Sequence, residues 1–145
     1  NGSGRFFWAW LSDLIGRRTV FLLMFPIQAA VFLALPSIHT FGAFAFFCCL
    51  ILLCYGGGFG TMPAFAADYF GAEHVGAIYG LMLTAWGFAG VLGPTLIAVL
   101  RQTTGGYSEA LTAIGGLMLV SIVIPAFLKR PAPRAFPATA PVRVS

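Results

Sequence analysis

The chain has 145 residues, of which 59% are hydrophobic and 8% charged, with a formal net charge of +4. A soluble domain covers itself with roughly 25% charged residues, so this composition excludes an ordinary water-soluble globule and points to lipid as the solvent. The basic excess does not indicate nucleic acid, because Lys and Arg sit at the ends of apolar runs and form no patch mixed with aromatics.

The chain begins at Asn1, with no recognisable signal peptide, and is expected to be a piece of a longer protein. Residues 1–18 read as the end of an apolar helix followed by a short turn containing Asp13, Gly16, Arg17 and Arg18. A hydrocarbon core about 30 Å thick needs about 20 apolar residues per helix. Four segments meet this, over residues 19–35, 41–62, 76–100 and 110–128, and none contains Asp, Glu, Lys or Arg. The predicted stops are Pro36, Pro63, the Arg101–Gly106 stretch and Lys129-Arg130-Pro131. The runs are apolar all round, without the polar face of a soluble helix or the alternation of a barrel strand. The predicted fold class is an all-α membrane protein with four transmembrane helices.

Basic residues in short loops set orientation. Arg17 and Arg18 precede the first span, and Lys129, Arg130, Arg134 and Arg143 follow the fourth. Both ends are therefore expected on the cytoplasmic side, with residues 63–75 forming a cytoplasmic loop. The tail over residues 129–145 is rich in Pro and Ala and is predicted to be disordered.

The turn can be read in two ways. Leu11-Ser12-Asp13-x-x-Gly16-Arg17-Arg18 is either a positive-inside loop with Gly for the turn, or a functional element in which Asp13 accepts hydrogen bonds or pairs with an arginine. This pattern resembles the loop motif of the major facilitator superfamily, with Ala9 in place of the usual leading Gly and Leu14 in place of a basic residue. The resemblance implies that the spans are the last four of a twelve-helix fold, preceded by an absent N-terminal part. It groups Arg5, Asp13, Gly16, Arg17 and Arg18 as one conformational loop motif.

A second stretch is more particular. Tyr55-Gly56-Gly57-Gly58-Phe59-Gly60-Thr61-Met62-Pro63 leads to Asp68-Tyr69-Phe70-Gly71, then Gly76-Ala77-Ile78-Tyr79-Gly80, then Thr84-Ala85-Trp86-Gly87 and Gly90-Val91-Leu92-Gly93-Pro94. Together these resemble the oxalate/formate antiporter family. That resemblance implies a secondary transporter of a small organic anion such as formate, oxalate or another monocarboxylate, in a bacterial inner membrane.

The glycines have their own physical reading. Gly56, Gly57, Gly58 and Gly60 let helices approach closely or bend, and Gly76, Gly80, Gly90 and Gly93 place small residues along the third span. They serve either static packing or the rocking of helices in alternating access, with Gly93-Pro94 a candidate kink.

Candidate substrate contacts are the polar and amphipathic residues within the spans: Tyr55 and Thr61 in the second, and Tyr79, Thr84 and Trp86 in the third. Tyr79 lies near a span end and can equally be an interfacial anchor, whereas Trp86 lies deeper. The first span offers only Gln28 and the fourth only Thr112 and Ser121. This matches the outer supports that the resemblance implies for those positions.

A carboxylate inside a membrane needs a cation beside it. The family implies basic residues on helices 8 and 11. The third span has no Lys, Arg or His, and the helix 8 position is expected before Asn1. This disfavours a divalent anion relative to a monocarboxylate or an unrelated substrate.

No metal or cofactor is expected. Cys48, Cys49 and Cys54 lie in an apolar run without His or carboxylates nearby, and His39 and His74 are isolated in loops. With no nucleophile–base set and no paired acids, an enzyme is the least supported class. The expected partners are a small carboxylate, the bilayer and the rest of the transporter, with no nucleic acid. A four-span packing module without transport of its own is the alternative.

Overall fold

A computed structural model describes residues 1–128, and the expected disordered tail over 129–145 lies outside them. The described residues form α1 (Gly2–Ile15), α2 (Arg17–Ala34), α3 (Phe41–Phe70), α4 (Val75–Thr104), α5 (Ser108–Ser121) and α6 (Val123–Phe127). Short 3-10 turns occupy Leu35–Ser37 and Ala72–His74. Four stretches are long and apolar enough to cross a membrane: Arg17–Ser37, Phe41–Phe70, Ala72–Thr104 and Ser108–Phe127. The protein is an all-α membrane protein.

The boundaries depart from the sequence reading in two spans, the second and the fourth. Helix α3 runs through Pro63 to Phe70, so residues 63–70 are helix rather than loop. A proline withdraws one backbone donor, which ends helices in water but is tolerated inside membrane helices. Here only the bond from position 63 to the carbonyl of residue 59 is lost. The stop is instead Gly71, at φ 96°, ψ 148°. Helices α2 and α4 continue through Pro26 and Pro94, which the sequence reading places inside their spans. The fourth span, in contrast, divides at Ile122, three residues before Pro125, whose ring nitrogen has no hydrogen to donate back to the carbonyl of Ser121.

Successive helices alternate in direction, so α1 and α3 run parallel, and they make the closest packing in the molecule. Glycines on both helices permit it. A Cβ at Gly4 would strike the Leu53 carbonyl, one at Gly56 the Asn1 carbonyl, and one at Gly57 the indole of Trp8. One at Gly60 would lie 2.7 Å from the Arg5 carbonyl oxygen. Backbone-to-backbone approach of this kind is how helices bind in lipid, where dispersion replaces the hydrophobic effect. Trp8, Val20, Met24 and Cys54 form the buried cluster where α1, α2 and α3 meet.

Helix α5 lies on α2, where Gly115 faces the Leu33 side chain. Helix α4 has no buried residue among those described, and it touches the bundle chiefly along α3 and α5.

Candidate functional site

Two clusters bring together residues singled out in the sequence, one at the end of the bundle and one where α4 meets α3. At the end, α1 stops at Ile15 because Gly16 takes φ 90°, ψ 146°, a left-sided conformation that side chains other than glycine rarely adopt. The α3–α4 junction repeats the device. Asp13 stands three residues before Gly16 and Asp68 three before Gly71, and the two glycines share nearly the same backbone angles.

Each aspartate sits in the last turn of its helix, where the helix dipole is negative and a carboxylate is unfavourable. Arg17 offsets both, its guanidinium lying 2.5 Å from Asp13 and 3.4 Å from Asp68. Arg17 also donates to the hydroxyl of the buried Ser12, which itself donates to the Ala9 carbonyl at 2.7 Å. Arg18 points the other way. Its Nε and Nη2 donate to the carbonyls of Pro125 and Ala126 at 2.7 and 2.6 Å, capping the last turn of α6. Asp13, Arg17 and Asp68 thus form one ion-pair group beside Gly16, while Arg18 makes a separate contact to the end of α6.

Arg5 lies apart from that network. It stands eight residues before Asp13 on the same helix, or about 12 Å along the axis at 1.5 Å per residue. Its backbone rests on Gly60, and its guanidinium lies 5.7 Å from the ring centre of the neighbouring Phe59, within cation–π range.

Phe59 is the hub of an aromatic group. It packs edge-to-face with Tyr55 at 5.2 Å and with Trp86 at 5.6 Å. The Trp86 indole N–H donates to the Tyr55 hydroxyl at 3.0 Å, joining α3 to α4. Tyr55 and Phe59 are one helical turn apart and so share a face. Among the described residues the Tyr55 O–H itself donates to no acceptor and remains available. Beside the three rings lies a half-open apolar pocket of about 150 Å³ between α2, α3 and α4.

The other candidates lie elsewhere. Thr61 is fully buried and donates to the Gly57 carbonyl at 2.8 Å. Thr84 donates to the Gly80 carbonyl of its own helix at 3.0 Å. Tyr79 is two turns from Trp86 towards the start of α4 and does not border the cavity. A Cβ at Gly58, Gly76, Gly80, Gly90 or Gly93 would meet nothing within 4 Å among the described residues. Of the glycines singled out in the spans, Gly56, Gly57 and Gly60 are therefore the ones whose Cβ positions meet a neighbouring helix among the described residues. The described residues include no group of His, Cys, Asp or Glu able to hold a metal.

Sequence reasoning passed over Phe59, Asp68 and the target of Arg18. The four-residue step from Tyr55 to Phe59 and the repeated Asp-x-x-Gly were available signals, whereas nothing local marks the α6 carbonyls.

The family model for the Major Facilitator Superfamily matches residues 1–143. The oxalate:formate antiporter of Oxalobacter formigenes is 31% identical over 131 residues, covering 86% of this chain and 31% of that protein. Monocarboxylate transporter 14 of Mus musculus is 33% identical over 105 residues, covering 72% of this chain and 20% of that protein. Its Homo sapiens counterpart is 32% identical over the same length. The chain thus spans no more than 31% of the length of these relatives. No solved structure matches the chain.

Proposed function

This chain belongs to the Major Facilitator Superfamily, and we propose that it forms part of a secondary transporter that moves a small organic monocarboxylate by alternating access, through antiport or proton coupling. The observation that carries the reading is the position of Arg5. It supplies, on α1 and over the ring of Phe59, which packs with Tyr55 and Trp86, the cation that a carboxylate in a membrane requires. An arginine can hold a carboxylate through two parallel hydrogen bonds, and the free Tyr55 O–H can add a third.

One cation favours one negative charge. Residues 76–100 contain no Lys, Arg or His to balance a second carboxylate, so oxalate fits this part of the site less well than formate or a larger monocarboxylate. The names of the relatives support the same class. We read the protein as a carrier rather than an enzyme, and the exposed length of α4 as a surface for further helices of the same transporter.

The orientation we propose puts the Arg17–Arg18 end in the cytoplasm of a bacterium, at the inner membrane. In its support, Arg18 joins the start of α2 to the end of α6, and the basic residues from 129 onward follow that same end.

The test is saturable uptake of labelled formate, oxalate and pyruvate into vesicles carrying the full-length protein. The expected result is uptake of the monocarboxylates in preference to oxalate. No saturable uptake of any of the three would sink the anion assignment and leave a carrier of an unrelated substrate, or a packing module, in its place.

A further inference from the structure

We infer that Gly60 is a positioning residue for anion binding: it seats the Arg5 backbone on α3 and, with Phe59, fixes where the guanidinium meets a carboxylate. This rests on the carrier reading above. Two consecutive residues of α3 hold Arg5 at its two ends. The Phe59 ring centre lies 5.7 Å from the guanidinium, within cation–π range. Gly60 lies against the backbone, where a Cβ would stand 2.7 Å from the Arg5 carbonyl oxygen and 3.0 Å from its Cα. Gly60 also borders, from α3, the open pocket that Arg5, Ala9 and Asp13 border from α1.

Two rows of contacts set the register that brings Arg5 to Gly60. In one row Asn1 meets Gly56 and Arg5 meets Gly60; in the other Gly4 meets Leu53 and Trp8 meets Gly57. Each row advances four residues on both helices, or about 6 Å of rise, in keeping with their parallel course. A slip of one turn in one direction would bring Ala64 to Arg5 and Thr61 to Trp8. In the other direction it would bring Leu53 to Trp8. Side chains obstruct both slips, so the glycines hold Arg5 at one height on α3, beside Phe59.

Position matters because a guanidinium grips a carboxylate through two parallel hydrogen bonds, and a misplacement of about 1 Å can cost on the order of 100-fold. A methyl group at Gly60 meets backbone, so no side-chain rotation can absorb it and α1 has to move away. A methyl group at Gly57 meets the Trp8 side chain instead. It disturbs the same helix pair without touching Arg5.

The experiment measures saturable counterflow of labelled formate and pyruvate in liposomes carrying the full-length protein. Gly60→Ala should raise KM about tenfold and leave the maximal rate within about threefold. Gly57→Ala, the packing control, should lower Tm and leave KM within about threefold. A double-mutant cycle then separates positioning from packing. Once Arg5→Lys has removed the two-pronged grip, Gly60→Ala should add less than about threefold to KM. An unchanged KM in Gly60→Ala, equal KM effects at Gly57 and Gly60, or the same rise in both backgrounds would overturn the inference while the carrier reading stands. Should Gly60→Ala fail to insert, Phe59→Leu decides by the same cycle, because it frees the guanidinium and leaves the backbone seat in place. No saturable counterflow of either acid by the unaltered protein would remove the carrier reading and this inference with it.

Discussion

Arg17, the first residue of α2, lies 3.4 Å from the carboxylate of Asp68 near the end of α3, fifty-one positions further along the chain. With Asp13 at 2.5 Å on its other side, one guanidinium neutralises the negative ends of two parallel helices. Both carboxylates are at least half exposed, so each pair adds at most about 1 kcal/mol to stability. Their use lies in holding the ends of α1, α2 and α3 together in one arrangement.

In the full-length protein, Arg17→Gln and Asp13→Asn should lower the maximal transport rate about tenfold while leaving KM within about threefold. Counterflow kinetics on reconstituted variants would check this. A large change in KM at unaltered rate would move these residues into substrate binding.

Two adjacent glycines make a sharper structural test. A Cβ at Gly57 would strike the Trp8 indole, whereas one at Gly58 meets nothing within 4 Å. Gly57→Ala should cost about 1–3 kcal/mol through overpacking, and Gly58→Ala should be neutral or slightly stabilising. Thermal unfolding in detergent reads both. Equal effects at the two positions would contradict the close approach of α1 to α3.

The Trp86–Tyr55 hydrogen bond predicts energetic coupling between α3 and α4. A double-mutant cycle with Trp86→Phe and Tyr55→Phe should show about 0.5–1.5 kcal/mol of interaction. Additive effects on thermal stability would mean that the two side chains act independently.

Arg18 holds the carbonyls of Pro125 and Ala126 beyond the break at Ile122, where α6 is a helix of only 5 residues. So short a helix is not stable by itself. Arg18→Gln should speed backbone hydrogen exchange across residues 122–127 without altering exchange in α3. Unchanged exchange at the end of α6 would show that packing against α2 suffices.

The spans were legible because length and apolarity alone decide whether a segment can cross a bilayer, and no tertiary information enters. Their ends were harder to read. Pro63 reads as a stop by the rules of helices in water, yet α3 continues to Gly71, and the Asp-x-x-Gly shared by the two junctions was the better marker. Arg5, grouped in the sequence with Asp13, stands about 12 Å from it along the helix axis, and both border one open pocket along α1. Phe59 was hidden among 15 phenylalanines, and its role depends on which residues of α1 and α4 surround it. The partner of Arg18 lies 107 positions away, a contact that no local pattern encodes. The glycine pattern suggested close packing without saying which glycines would meet a neighbour, and only those facing α1 do so in α3.

The most direct test of the account is saturable monocarboxylate uptake by the full-length protein carrying Arg5→Gln, beside Arg5→Lys and the unaltered protein. The account predicts that Arg5→Gln folds with a near-normal Tm, since the Arg5 side chain is exposed, yet loses saturable uptake. Arg5→Lys should keep part of it, at a KM raised about tenfold by loss of the two-pronged contact. Uptake by Arg5→Gln with an unchanged KM would contradict the account, because the carboxylate would then be held by some other cation.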